Sequence, residues 1–142
     1  MRDCADVVEH LAPKELNEMY ARIQRHLAPT GRLVVHTNPN RWYYEREYPR
    51  KRVQALALGA YLPPEPRTRS ELLMHINEQD PDMLASDLRS HFAHVVVWAA
   101  TLFDPLGTLD PACDPARLSS DTELFAVASD APSIPTRTRI FP

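Results

Sequence analysis

Apolar residues recur at Leu16, Met19, Tyr20, Ile23 and Leu27, the spacing of three and four that puts all five on one face of a helix. The spacing predicts an amphipathic helix over 13–27, opened by Pro13 in its first turn and stopped by Pro29 and Gly31. Its N-cap is weak, because Ala12 has no side-chain acceptor. Next, Arg32-Leu33-Val34-Val35-His36-Thr37 is a run rich in β-branched residues that breaks at Asn38-Pro39-Asn40, the pattern of a buried strand entering a turn. Residues 41–60 mix four aromatics with paired charges and then turn Ala- and Leu-rich, which predicts a helix over a strand end. The prolines of 62–67 predict a loop. Asp80-Pro81 opens another helix, running through Leu84 and Leu88 to Phe92, and Val95 to Ala100 reads as a second buried strand. A Pro-, Asp- and Ser-rich loop over 104–120 leads to an alternating strand at Glu123 to Ala128, and the last dozen residues read as a frayed tail. The sum is an α/β chain of about three strands and three helices, one domain over 1–130 and a tail over 131–142.

Composition narrows this picture little. A chain of 142 residues, 44% hydrophobic, supports one packed domain rather than two. The formal net charge of −3 gives no global electrostatic case for nucleic acid or membrane binding. Cys4 and Cys113 lack the spacing of a zinc motif or the density of a secreted disulfide scaffold, and no apolar run nears the roughly 18 residues that span a bilayer. A cytoplasmic protein is the expectation. The telling entry is 14 prolines against 3 glycines, since tight phosphate-cradling turns need glycine.

Three segments carry more specific information. Asp6-Val7-Val8-Glu9-His10-Leu11, followed by Leu27-Ala28-Pro29-Thr30-Gly31-Arg32-Leu33-Val34-Val35-His36-Thr37-Asn38-Pro39-Asn40, resembles the back half of class I S-adenosylmethionine-dependent methyltransferases. That family shows D-V-x-E-H-L directly after its fourth strand and L-x-P-G-G-x-L-x-x-x-x-P-N through its fifth. Thr30 stands in place of the first glycine of that pair. Met74-His75-Ile76-Asn77-Glu78-Gln79-Asp80-Pro81 resembles the H-x-N-x-x-(T/S)-P segment that opens the next helix in many members. The resemblance implies an incomplete Rossmann-like methyltransferase sheet, back half only. It also implies S-adenosylmethionine as cofactor, bound mainly by a glycine-rich turn upstream of Asp6. Gly31, Gly59 and Gly107 are isolated, so no substitute loop is present and the chain alone is expected to be inactive. A separate N-terminal half or a homo-oligomer is the expected partner, and a small molecule the expected methyl acceptor. The alternative is a non-catalytic interaction module that docks through the sheet edge left open.

Asp6, Glu9 and His10 fall at i, i+3 and i+4, so a helix would bring all three polar heads to one side. Two carboxylates and an imidazole suit Mg²⁺ or Mn²⁺, which could lower the pKa of a substrate hydroxyl, and His75 is the natural fourth ligand. The arrangement is similar to that of metal-dependent O-methyltransferases with E-x-x-E-H at this place, Asp6 replacing the first glutamate. That similarity implies O-methyl transfer with Asp6, Glu9 and His10 as catalytic residues. The E-H pair could equally line the cleft without metal. Asn38, Asn40, Trp42, Tyr43, Tyr44 and His75 are the expected substrate contacts. The aromatics and cations of 41–52 also have the composition of a single-strand nucleic-acid surface, but Glu45 and Glu47 offset the charge and a lid or acceptor pocket is the favoured reading. His36, on a buried strand, is expected to be a satisfied core or cleft histidine.

Overall fold

The strand predicted at 32–37 forms as β2 (Leu33–Thr37), and its alternation of buried and half-buried residues sets the whole sheet. A computed structural model describes residues 2–100 and 118–132. In chain order the remaining elements are β1 (Arg2–Ala5), a 3-10 turn (Val8–His10), α1 (Pro13–His26), a π-helical turn (Tyr43–Glu47) running into α2 (Tyr48–Ala57), α3 (Arg69–Met74), α4 (Pro81–Arg89), β3 (His94–Ala100) and β4 (Glu123–Ser129). The expected loop over 104–120 lies outside the described residues up to 117, as does the tail from 133.

The four strands make one mixed sheet in the order β1-β2-β4-β3. β1 runs parallel to β2, with Ala5 opposite His36, and α1 is the crossover between them. β4 inserts antiparallel between β2 and β3, so that Thr37 faces Leu124 and Trp98 faces Phe125. The expected three strands and three helices are thus corrected to four strands and four helices among the described residues. β1 supplies the extra strand and α3 the extra helix.

Period-two alternation and this register put Leu33, Val35, Leu124, Ala126 and Ala128 on one sheet face. That face joins Leu16 and Tyr20 of α1 and Leu84 and Leu88 of α4 in a single core, with Met19, Ile23 and Leu27 packed at its margin as the helix periodicity predicts. Burying Leu16 alone contributes about 1.5–3 kcal/mol. On the opposite face Val34, His36, Val96, Phe125 and Val127 remain half-buried. An α/β sheet is ordinarily covered on both faces, whereas the described helices cover mainly one face of this sheet.

The caps follow the residues. Ala12 gives α1 no side-chain acceptor, and the Glu15 carboxylate accepts from the Ala12 N–H instead, at 3.0 Å. Asp80 caps α4 by accepting from Met83 N–H at 2.8 Å. That helix ends at Arg89 rather than Phe92, although Phe92 still reaches the core. At the α1–β2 turn a Cβ on Gly31 would lie 2.6 Å from Leu27 Cγ and 2.8 Å from the Ala28 carbonyl oxygen. Close approach therefore requires glycine at 31, while Thr30 sits beside it without penalty. No helix among the described residues is long and apolar enough to cross a membrane.

Candidate metal and acceptor site

β1 and β2 lie side by side and parallel, so the residues that follow them emerge at the same end of the sheet. Glu9, in the 3-10 turn after β1, is 2% exposed and its Oε2 accepts a 2.6 Å hydrogen bond from the Thr37 hydroxyl at the end of β2. Its backbone carbonyl accepts from Asn77 N–H at 3.0 Å. The three sequence segments singled out above therefore meet at one residue.

The neighbouring histidines complete a cluster. The Met74 carbonyl can only accept, so at 3.0 Å it fixes the proton of His10 on Nδ1 and leaves the Nε2 lone pair free. That Nε2 is 3.8 Å from Glu9 Oε1, and the His10 and His75 rings stand 5.0 Å apart. One ligand atom from each of Glu9, His10 and His75 lies within 4.8 Å of the others. His75 Nδ1 is buried without a hydrogen-bond partner.

Asp6 is not in this group. The expected i, i+3, i+4 alignment needs an α-helix, whereas the chain forms only the short turn Val8–His10 and Asp6 precedes it in the left-handed region at φ 52°. Its exposed carboxylate instead lies 3.1 Å from His36 Nδ1 as an ion-pair partner, and Glu123 Oε2 is hydrogen-bonded to His36 Nε2 at 2.5 Å. Both ring nitrogens of His36 thus face carboxylates, a setting that favours its charged form. The hydrogen bond to Glu123 raises its pKa above the usual 6.5, opposed by burial and reinforced by Asp6. His36 is the satisfied histidine its strand position suggests. Because the folded value exceeds the unfolded one, the stability it confers is complete below pH 6.5 and is lost as pH rises through the folded value. Thermal denaturation should show the melting temperature falling above pH 6.5, with His36→Phe flattening that slope. A proton NMR titration placing the His36 midpoint at or below 6.5 would remove this explanation.

The expected substrate contacts divide. Asn38 donates to Glu123 Oε1 at 2.6 Å. Asn40 is fully buried, donating to the Leu118 and Asp121 carbonyls at 2.7 and 3.0 Å and accepting from Trp42 N–H at 3.1 Å. Its amide is saturated by the chain it holds in place, which corrects its assignment as a substrate contact. Trp42 is covered by the Arg46 guanidinium at 3.7 Å, Tyr43 by Lys51 at 4.8 Å and Tyr44 by Arg67 at 4.5 Å. Tyr43, Tyr44 and Tyr48 pack on one another, and burial pushes the Tyr44 hydroxyl up to about 12. His75 alone of the six borders an open cavity near the cluster. That cavity, of about 380 Å³, is lined by Arg41, Leu72, His75, Ile76, Asn77, Glu78 and Met83. Arg41, Asn77, Glu78 and Met83 escaped sequence reasoning, although Asn77 is the asparagine of the H-x-N segment.

Compared with models of protein families, with curated proteins and with solved structures, the chain has no match.

Proposed function

We propose that this chain is the back half of a Rossmann-like, S-adenosylmethionine-dependent methyltransferase domain that transfers a methyl group to a hydroxyl and holds a divalent metal on Glu9, His10 and His75. The observation that carries the reading is the convergence on Glu9 of the ends of β1 and β2 and of the 74–81 segment. In open α/β sheets, sites lie beyond the carboxyl ends of parallel strands, which is where Glu9 and Thr37 are.

The donor set fits a metal. Thr37 holds one oxygen of Glu9 and the Met74 carbonyl holds one nitrogen of His10, in each case leaving the other atom free for an ion. His75 Nδ1 is buried and unpartnered. One carboxylate with two imidazoles is a borderline set, suited to Zn²⁺, Mn²⁺ or Fe²⁺ more than to the Mg²⁺ that two carboxylates favour. Bound there, such an ion would act as a Lewis acid that lowers the pKa of an acceptor hydroxyl.

The residues do not by themselves fit the cofactor. Sulfonium cofactors need backbone close to the ligand at a helix N-terminus, and the described glycines serve other ends. Gly31 makes the α1–β2 turn and Gly59 follows α2. No step through the cofactor is therefore assigned to these residues. Among the described residues β1 is an edge strand with no neighbour on its second side, next to a sheet face they cover only in part, and a glycine-rich half would dock there. The same open edge would serve a non-catalytic docking module, but such a module has no use for the Glu9 cluster.

Isothermal titration of the chain alone with S-adenosylmethionine should give no binding heat. Tight binding would contradict the half-domain reading.

A further inference from the structure

We infer that the cavity bounded by Arg41, Leu72, His75, Asn77, Glu78 and Met83 binds a small uncharged molecule carrying a hydroxyl on an apolar body. As a methyl acceptor this molecule rests on the reading above, whereas its binding stands on the cavity alone. Five buried side-chain polar atoms among the described residues have no hydrogen-bond partner, and four of them fall in one stretch: His75 Nδ1, Asn77 Nδ2, Glu78 Oε1 and Gln79 Oε1. Three of these four residues, His75, Asn77 and Glu78, line the cavity, and since each unpaired buried group costs about 1–3 kcal/mol their concentration there marks groups that a ligand would satisfy. Asn77, only 8% exposed, offers a donor, and Glu78 beside it offers an acceptor. A hydroxyl is the one small group that can both accept from an amide such as that of Asn77 and donate to a carboxylate such as that of Glu78. A carboxylate cannot donate to Glu78, and an ammonium cannot accept from Asn77.

The surroundings support an uncharged ligand. The second oxygen of Glu78 accepts from Arg67 at 2.6 Å, a pairing that fixes the carboxyl and opposes the upward push of burial on its pKa. Arg41 is engaged by Glu45 and the Met83 sulfur, each at 3.1 Å, and lies 4.0 Å from Asp80, so its charge is already answered. Leu72 and Ile76 are 46% and 62% exposed at the rim and give an apolar body something to cover. A cavity of about 150 Å³ holds benzene, so about 380 Å³ leaves ample room for a one-ring molecule. His75 belongs to both this cavity and the Glu9 cluster, so the cavity adjoins the proposed metal site.

The test is a ¹H–¹⁵N NMR titration of the full chain, with EDTA present, using benzyl alcohol, toluene and benzoate as probes. Benzyl alcohol should saturably shift the Asn77 side-chain amide and the backbone amides of 75–79, binding at least about tenfold more tightly than the other two. Asn77→Leu should abolish that preference while raising the melting temperature, since it removes an unpaired buried amide. Should that variant fail to fold, Asn77→Asp, which keeps the shape but loses the donor, should show the same loss of binding. Toluene binding as well as benzyl alcohol, benzoate binding best, no saturable shift, or an unaltered preference in the folded variant would each overturn the inference. Benzyl alcohol binding by a chain that never supports methyl transfer would leave the site standing and remove the functional reading.

Discussion

Glu9→Ala should lower the affinity of the chain for Zn²⁺ and Mn²⁺ by more than about a hundredfold, with His75→Ala close behind and Asp6→Ala without effect. The ranking comes from geometry. Glu9, His10 and His75 bring ligand atoms within 4.8 Å of one another, whereas the Asp6 carboxylate is held by His36. Thr37→Val should cost about tenfold, because it removes the hydroxyl that orients Glu9 without removing a ligand. Glu9→Ala also strands the Thr37 hydroxyl in a buried site, at about 1–3 kcal/mol, so affinities are to be measured by isothermal titration well below the melting temperature of each variant. Equal affinities for wild type, Glu9→Ala and His75→Ala would sink the metal site. A loss in Asp6→Ala as large as that in Glu9→Ala would restore the ligand set expected from the sequence.

The largest effect on stability is expected at Tyr20, whose ring is fully buried between α1 and the sheet. Tyr20→Ala should lose about 3–5 kcal/mol, the range for emptying an aromatic site in a packed core. Tyr20→Phe should gain about 1 kcal/mol, because the hydroxyl is buried without a partner and the phenylalanine ring fills the same space. Burial likewise drives the pKa of that hydroxyl far above the ordinary tyrosine value. Urea unfolding reads both variants. A Phe variant as unstable as the Ala variant would mean that the hydroxyl has a role this core does not display.

Much of the scaffold was legible in the chain because its signals are local. The periodicity of Leu16 to Leu27, the Asp80-Pro81 cap and the β-branched runs of β2 and β3 each lie within a few residues of one another. β1 was missed because Arg-Asp-Cys-Ala is only four residues long and opens with two charges, and it is a strand only through its pairing with β2. α3 was missed although its capping box was in plain view. Thr68 accepts from Glu71 N–H, and the Glu71 carboxylate accepts from Thr68 N–H. Its apolar Leu72, Leu73 and Met74 are exposed, so the helix shows no buried stripe to reveal it.

The candidate site was legible in identity but not in grouping. Glu9, His10 and His75 were picked out by residue type, and the structure brings them together. Asp6 was added by assuming an α-helix where the chain makes a single 3-10 turn. The His36–Glu123 pair spans 87 positions, and no local pattern encodes it. Asn40 looked like a cleft residue at the end of a strand, but its hydrogen bonds go to a segment about 80 residues away.

The central claim is methyl transfer by a half-domain that needs a glycine-rich partner docked on the edge of β1. The most direct measurement is transfer of a labelled methyl group from S-adenosylmethionine to a hydroxyl acceptor, with Zn²⁺ or Mn²⁺ present. It is made once with the chain alone and once with the chain joined to a folded glycine-rich cofactor half taken from a class I methyltransferase. The account predicts no transfer by the chain alone and transfer by the joined protein that disappears with Glu9→Ala. Transfer by the chain alone, or equal transfer by the joined protein with and without Glu9, would contradict it.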